Sequence, residues 1–257
     1  MKKFLAPLII LLLLISCSEP QTHAIEQENA VPSDVNPAAP GFNKAGSDSL
    51  AIDIADKVMI AMGGRQIWEE IETLDWTFFG RRKLHWNKQT GDVDILMMKD
   101  STEIHVNLND MQGQVMLKEN PSLSADSIAT WMEYGRSIWI NDSYWLIMPF
   151  KLKDSGVTLK YLRKEFLNNQ VESHVLELTF QDIGDTPENK YEVFVDVNSH
   201  LVNQWSFFNN YTDTIPAFTN PWTDYQNYEG IQLSSHRGDN ALTGIAVTKA
   251  AFNSSKN

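Results

Sequence analysis

The sequence predicts an α+β domain, in which a large curved antiparallel sheet of about ten or eleven strands carries helices packed on one face. Three observations lead to this class. Parts of the chain after residue 74 alternate between apolar and polar residues, as half-buried strands do. Consecutive strand segments are separated by short turns, which favours antiparallel pairing. One helical unit precedes the first strand, and another follows the fourth.

The chain begins with a segment typical of exported proteins. Two lysines precede an apolar stretch, Phe4 to Ile15, that is shorter than the roughly 20 residues of a membrane-spanning helix. The stretch ends in Leu14-Ile15-Ser16-Cys17, which is similar to a bacterial lipobox. We interpret residues 1–16 as a signal peptide and Cys17, the only cysteine, as a lipid-attachment residue. The alternative is an ordinary signal peptide with an incidental cysteine.

The segment after Cys17 has the composition of a linker. Residues 17–47 are rich in Pro, Ala, Asn, Ser and Glu and show no periodicity, so we expect a flexible tether. Residues 48–257 are then expected to form a single domain. Ser18 stands where an aspartate would resemble an inner-membrane retention signal. This favours the outer membrane, and we expect the domain on its periplasmic side.

The charge of the chain excludes some partners. The net charge is −12, and removing residues 1–16, which carry two lysines and no acid, makes it −14. An acidic body without a basic stripe argues against binding to nucleic acid and against electrostatic docking on anionic lipid.

The helices are predicted in order from apolar spacing. The segment 48–62 places Ile54, Val58 and Met62 on one face. Gly63-Gly64 ends it, because glycine tolerates the left-handed geometry of a helix C-cap. The segment 65–74 adds a short second helix, and 122–140 returns to helical spacing after the first four strands.

The run Tyr144–Phe150 does not fit a half-exposed strand. If it is a strand, Trp145 and Ile147 point one way and Tyr144, Leu146 and Met148 the other, and both faces are apolar. This region is therefore either covered by protein on both sides, or one side lines an apolar cavity.

The polar residues give no strong motif for catalysis or for metal binding. The histidines form no HExxH or HxH pattern, so neither a metal nor a cofactor is predicted. We expect His85 and His105 on solvent-exposed strand faces. Asn141–Ser143 is interpreted as a turn that enters a strand, and Asp196–His200 as a hairpin turn. A hairpin around Glu229-Gly230 would bring Asp224 towards His236, more often a structural contact than a catalytic one.

Aromatic residues are the remaining functional signal. The chain has eight tryptophans, and tryptophan suits surfaces that are apolar on one side and polar on the other. Some of them belong to an ordinary core, and others are expected at the wall or mouth of an apolar pocket. The candidate ligand-lining residues are Trp76, Phe78, Trp86, Trp145, Ile147 and Trp205.

Three stretches carry a resemblance to a known superfamily: MGGRQIWEEIETLDWTFFGRRKLHWNKQTGDV, WINDSYWLIMPFKLKDSGVTLKYL and WTDYQNYEGIQLSSHRG. Together with the lipobox and the tether, they resemble the LolA/LolB/LppX-like superfamily of lipoprotein and lipid carriers. Within it, they look like a group of uncharacterised envelope lipoproteins of Gram-negative bacteria. The resemblance implies an incomplete antiparallel barrel, partly closed by helices, whose concave side holds acyl chains. It supplies no motif by which functional residues can be carried over one by one.

The sequence thus favours a lipid-anchored envelope protein that binds an apolar ligand, such as the acyl chains of a lipid or lipoprotein, for transport or buffering. No enzymatic activity is expected. One alternative is an interaction module with a filled core that binds another envelope protein. A second alternative is an envelope hydrolase that uses the region of Asp224 and His236.

The lipobox gives the first testable prediction. Cys17→Ser should prevent lipidation and leave unprocessed precursor, because the thiol is the group that accepts the lipid. Metabolic labelling with a fatty acid and the size of the product on a gel would measure both effects. A variant that is still processed and held in the membrane like the parent would show that the lipobox interpretation is wrong.

Overall fold

A computed structural model describes residues 35–119, 122–168, 170–181 and 185–250. The predicted signal peptide, Cys17 and residues up to 34 lie outside these ranges. Within the described ranges, no helix is both long and apolar enough to cross a membrane. The helices are α1 (Ser49–Ala61), α2 (Arg65–Glu70), α3 (Ala125–Ile147) and a 3-10 turn (Met148–Lys151).

Thirteen strands are formed by the described residues, more than the sequence predicted. The sequence predicts one strand over residues 74–86. Phe79 and Gly80 have φ angles of 48° and 66°, and the turn they make divides this strand in two. The strands are β1 (Ile71–Phe78), β2 (Arg82–Asn87), β3 (Asp92–Met97), β4 (Glu103–Asn107), β5 (Gly113–Met116), β6 (Val157–Phe166), β7 (Glu172–Phe180), β8 (Lys190–Asp196), β9 (Val202–Phe208), β10 (Phe218–Pro221), β11 (Thr223–Tyr228), β12 (Ile231–Arg237) and β13 (Asn240–Lys249).

The α+β class with a curved antiparallel sheet is confirmed, but the strands belong to two sheets. One has eight strands in the order β11-β12-β13-β1-β2-β3-β4-β5, and the other has five in the order β10-β9-β8-β7-β6. The sheets are not closed into a barrel. The chain passes from the eight-stranded sheet to the five-stranded sheet through α3, and it returns at Trp222, between β10 and β11, where the backbone N–H of Trp222 donates to the carbonyl of Asn203. Trp222 is fully buried at this junction.

The prediction of a strand at Tyr144–Phe150 is wrong, because the residues up to Ile147 form the last turns of α3. The side of α3 that faces the core is marked by Met132, Gly135, Ile138 and Leu146, at helical spacing. A Cβ atom on Gly135 would lie 2.9 Å from the side chain of Ile104 in β4, so this glycine lets the helix approach the sheet closely. The segment Tyr144–Phe150 has apolar side chains in all directions, which fits a helix end that is covered by protein on several sides.

The interpretation of Asn141–Ser143 as a turn is also wrong. Asp142 lies inside α3 with its side chain fully buried, where an unpaired carboxylate would be very costly. Arg82 compensates it with two hydrogen bonds, of 2.6 Å from Nε and 2.7 Å from Nη2. Burial still raises the pKa of Asp142 above its ordinary value, and the bonds from Arg82 oppose that rise. The helix therefore continues through a sequence that is locally turn-like.

The end of α3 needs a partner from the eight-stranded sheet. The carbonyl of Trp145 would normally accept from the N–H of residue 149, but Pro149 has none. Arg237 of β12 supplies the bond, with 2.7 Å between its Nη2 and the oxygen of Trp145. Its guanidinium is fully buried and lies 3.5 Å from the ring centre of Trp222. Burial lowers the pKa of Arg237 to about 9.

The packed part of the chain begins before residue 48, within the segment that the sequence assigned to the tether. Asn36 is buried, and its side-chain amide donates to Asp56 of α1 at 2.7 Å. Lys153 Nζ donates to the same carboxylate and to the carbonyl of Asn36, both at 2.6 Å. The linker-like composition of this segment could not predict these contacts, because the residues that Asn36 bonds lie elsewhere in the chain.

The pair Arg82–Asp142 gives a prediction about stability and pH. Arg82→Met should lower the free energy of unfolding by about 3–5 kcal/mol at pH 7.5, because it leaves a buried carboxylate without its counter-ion. The folded state of the variant holds a proton on Asp142 more tightly than the unfolded state does. The difference in the free energy of unfolding between the parent and the variant should therefore become smaller as the pH falls from 7.5 to 5. Urea denaturation at both pH values would measure this.

Lys83, on the other side of Arg82 in the chain, is exposed and serves as the control. Lys83→Met should change stability by no more than about 0.5 kcal/mol. If the two variants lose the same stability, or if the deficit of Arg82→Met grows at low pH, the ion pair does not have the role described above.

Candidate functional site

The main apolar cavity lies between α3 and the five-stranded sheet and has a volume of about 620 Å³. Its walls come from the helix, from the segment that follows the 3-10 turn, and from the inner face of the sheet. Eight aromatic side chains line it: Trp139, Tyr144, Trp145, Phe180, Tyr191, Trp205, Phe207 and Phe218. Pockets of this size and composition are typical of sites for small apolar ligands.

The sheet side of the cavity is built by strand register. Five residues lie opposite one another across the five strands, one from each: Leu159, Leu178, Tyr191, Phe207 and Phe218. Because opposed residues point to the same face, they form one continuous apolar row. Leu159 and Leu178 are fully buried, whereas Phe218 on the edge strand β10 is 37% exposed. The row therefore runs from the core to the protein surface.

Trp205 is the central ring of the cavity wall. It is almost fully buried and stacks on Tyr191, with ring centres 5.1 Å apart and an interplanar angle of 8°. Trp145 from α3 meets it edge-on at 4.6 Å, and Tyr144 lies 5.9 Å away. Trp145 also stacks on Phe218. Offset-stacked and edge-to-face pairs of this kind are the favourable arrangements of aromatic rings, so these contacts stabilise the wall.

The tyrosines of the wall are uncharged at neutral pH. Burial raises the pKa of Tyr191 to about 12 and raises the pKa of Tyr144 well above its usual value. Their rings therefore contribute apolar surface and neutral hydroxyl groups. They provide no base or anion for chemistry at physiological pH.

The charged residues that line the cavity are two ion pairs at its rim. Arg136 of α3 lies 3.4 Å from Asp185, and the Ser137 hydroxyl donates to the same carboxylate at 2.6 Å. Lys151 pairs with Asp154 just after α3. All four charged groups are partly exposed. The apolar interior is thus bordered by charges that already compensate each other.

The structure brings only part of the predicted ligand-lining set to this cavity. Trp145 and Trp205 line it and contact each other. Trp76, Phe78 and Trp86 point from β1 and β2 into the core, where each is less than 10% exposed. Trp86 packs on the helix residue Trp139, and Phe78 lies near Trp145. Ile147 is buried as core.

Several lining residues were missed by sequence reasoning. Tyr144 was assigned to the opposite face from Trp145, because a strand was assumed where the structure has a helix. Neighbouring residues on a helix differ by about 100° in direction, so both can border one cavity. Tyr191 and Phe207 gave the usual alternating signal of strands. Nothing in the sequence showed that their register would align them with Phe218.

The two strand histidines lie on the outer face of the eight-stranded sheet, as predicted. His85 Nδ1 is 2.8 Å from a carboxylate oxygen of Asp75, and His105 Nδ1 is 2.7 Å from one of Asp94. Each histidine side chain is about two-fifths exposed. A second, more polar depression of about 460 Å³ borders these residues and includes Trp76. Among the described residues, no group of three or more His, Cys, Asp or Glu is arranged to hold a metal ion.

The two predicted turns are confirmed, but Asp224 does not bond His236. Asp196 Oδ1 accepts from the N–H groups of Asn198 and Ser199, which closes the turn between β8 and β9. Strands β11 and β12 pair around Glu229-Gly230, in a register that places Thr223 opposite His236. His236 Nδ1 lies 3.0 Å from Thr223 Oγ1. Asp224 instead accepts from the Ser235 hydroxyl.

No protein-family model matches the sequence, and no curated protein sequence does. Among solved structures, the chain is similar to a DUF1329 family protein from Desulfovibrio piger. The identity is 12% over 76% of this chain and 92% of that chain, with a TM-score of 0.43. It is also similar to a LolA superfamily protein from Nitrosomonas europaea, at 10% identity over 79% of this chain and 87% of that chain, with a TM-score of 0.40. The likeness is one of fold.

Adjacent residues at the end of α3 give a prediction for the cavity. Leu146 is fully buried, so Leu146→Ala should lower the free energy of unfolding by about 2–5 kcal/mol. Trp145→Ala should lower the free energy of unfolding by less than Leu146→Ala does, because it extends a space that is already open instead of creating an enclosed void. Urea denaturation of both variants would measure the difference. An equal or larger loss for Trp145→Ala would mean that its side chain acts as ordinary core.

Proposed function

We propose that the protein is a non-enzymatic carrier or buffer of an apolar ligand, such as a lipid or an acylated molecule, which it binds in the aromatic cavity. The observation that carries this proposal is the cavity itself, about 620 Å³ between α3 and the five-stranded sheet, with eight aromatic side chains in its walls. A packed interaction module has no need of such a space. Cavities that stay empty lose packing contacts and therefore stability.

The energetics suit reversible binding. Moving ten methylene groups out of water is worth about 8 kcal/mol, which is comparable to the cost of immobilising a ligand. Moving the same groups out of a bilayer gains little, because the membrane interior is equally apolar. A lipid would therefore exchange between membrane and cavity with a small change in free energy. That is the behaviour required of a carrier or a buffer.

The polar groups of the site support binding more than catalysis. The described lining residues include no histidine and no cysteine, and their four charged side chains form two ion pairs. Asp224 and His236, the basis of the hydrolase alternative, are not hydrogen-bonded to each other. A histidine base that is oriented by a carboxylate, as in a hydrolase triad, would need such a contact.

We further propose that the protein acts in the bacterial envelope. In this proposal Cys17 carries the lipid that holds it at the outer membrane, on the periplasmic side. The lipobox supports the lipid anchor, and Ser18 supports the outer membrane. The membrane itself would then be the first source or acceptor of the ligand, and an envelope protein is a possible second partner.

The test uses residues 18–257 exported without the acyl anchor. Native mass spectrometry should detect co-purifying lipid. The uncharged dye N-phenyl-1-naphthylamine should bind saturably, at one molecule per chain. Phe207→Glu places a charge in the cavity wall and should weaken dye binding at least tenfold.

Phe166→Glu is the matched control, because Phe166 lies in the same sheet but is 65% exposed and outside the cavity. It should leave dye binding unchanged. Absence of both co-purifying lipid and saturable dye binding in the parent would reject the carrier proposal and favour the interaction module.

A further inference from the structure

We infer that the loop between β9 and β10, residues 209–217, contacts a lipid bilayer with its exposed apolar side chains and holds the mouth of the cavity against the membrane. This inference rests on the proposed function, because it names the surface from which the ligand enters the cavity. It has three supports: two exposed apolar side chains, a loop backbone whose hydrogen bonds are largely made within the protein, and the position of the loop at the cavity.

The loop exposes two large apolar side chains to solvent. Ile215 is 80% exposed, the highest value for a large apolar residue in the described part of the chain, and Tyr211 is 60% exposed. Burying isoleucine away from water is favourable. Tyrosine is enriched where a membrane meets water, because its ring is apolar and its hydroxyl is polar. The two side chains therefore suit the surface of a bilayer.

The backbone of the loop needs little hydration. The N–H groups of four consecutive residues, 210–213, each donate to an oxygen of the protein. The carbonyl of Asp213 accepts from Lys190 Nζ at 2.7 Å. Pro216 has no N–H to satisfy. Backbone groups that lose water without gaining a partner are costly in a bilayer, so a loop bonded in this way can enter the membrane surface at low cost.

The loop lies at the edge of the cavity. At its end the N–H of Ala217 donates to the carbonyl of Phe207, and Phe218 follows in the chain. Phe207 and Phe218 both line the cavity, and their rings stack at 4.9 Å. Near its start the N–H of Tyr211 donates to the carbonyl of Glu188, in a segment that also borders the cavity. A bilayer that meets the loop is therefore next to the partly exposed end of the cavity wall.

The composition of the loop favours apolar contact over attraction between charges. Residues 209–217 include no lysine and no arginine. Their one charged residue is Asp213, whose carboxylate accepts from the N–H of Asn210. The chain as a whole is acidic, with a net charge of −12, and is repelled by an anionic surface. We therefore expect contact with a bilayer of zwitterionic lipid and little dependence on salt.

The experiment uses the exported chain with its N-terminal anchor, reconstituted in bilayer discs of phosphatidylcholine. Thr214→Cys and Asn198→Cys are each labelled with a fluorophore that brominated lipid quenches. Asn198 is the control, because it lies in the exposed turn at the opposite end of β9. The parent, whose only cysteine is Cys17, measures background labelling. We expect quenching at position 214 to be at least threefold stronger than at position 198, in low and in high salt alike.

A second substitution in the Thr214→Cys chain tests the apolar contact itself. Ile215→Glu should reduce the quenching at least twofold, because a carboxylate resists entry into the bilayer. Phe166→Glu is the matched control, since Phe166 is also an exposed apolar residue of the same sheet, 65% exposed, but lies outside the loop. It should leave the quenching unchanged. Both side chains are mostly exposed, and circular dichroism would verify that the variants are folded.

The outcomes separate this inference from the proposed function. Equal quenching at positions 214 and 198, quenching that Ile215→Glu does not lower, or quenching that requires anionic lipid and is lost in high salt would each overturn the inference. The carrier proposal then stands if the parent binds N-phenyl-1-naphthylamine. If the loop is quenched as expected but the parent binds neither lipid nor the dye, the membrane contact stands and the carrier proposal fails.

Discussion

The structure depends on the contact of Arg237 with the end of α3. Its guanidinium donates to the carbonyl of Trp145 at 2.7 Å, and also to the carbonyls of His236 and Ser234, at 2.7 and 3.1 Å. It lies against Trp222, where the chain passes between the two sheets. One buried cation thus joins the helix, the eight-stranded sheet and the junction of the sheets. Burying a cation is costly, and the hydrogen bonds of its two terminal nitrogens offset part of that cost only when the three elements are in this arrangement.

This arrangement gives α3 two different surroundings. One part of its surface packs closely on the eight-stranded sheet, through Trp139, which contacts Trp86, and through Gly135, where a side chain would meet Ile104. Another part, with Trp145, faces the five-stranded sheet across a space that the side chains do not fill. The close packing on one side supplies stability, and it positions the helix wall of the cavity on the other.

The ion pairs of the protein are also of two kinds, one buried in the interior and one at the rim of the cavity. The buried pair Arg82–Asp142 is made of short hydrogen bonds inside the structure, where removing one partner leaves an uncompensated ion. The rim pair Arg136–Asp185 is longer and partly exposed, so its partners can exchange at low cost. The first pair belongs to the fold, and the second is available to a ligand. An apolar interior with an exchangeable polar rim matches an amphiphile, which has one apolar and one polar part.

The sequence by itself determined the elements whose hydrogen bonds are local. The helix that ends at Gly63-Gly64 and the turn closed by Asp196 were predicted correctly, because their partners lie a few residues away. The antiparallel class followed from alternation and short turns. Only the tertiary structure decided that α3 continues through Asp142 to its end beside Pro149. The groups that make this possible, Arg82 and Arg237, lie 60 and 92 residues from their partners, and a local pattern carries no information about them. The sequence did not predict the cavity for the same reason. Its walls are positioned by strand register and by Arg237, which lies far along the chain from the helix that it contacts.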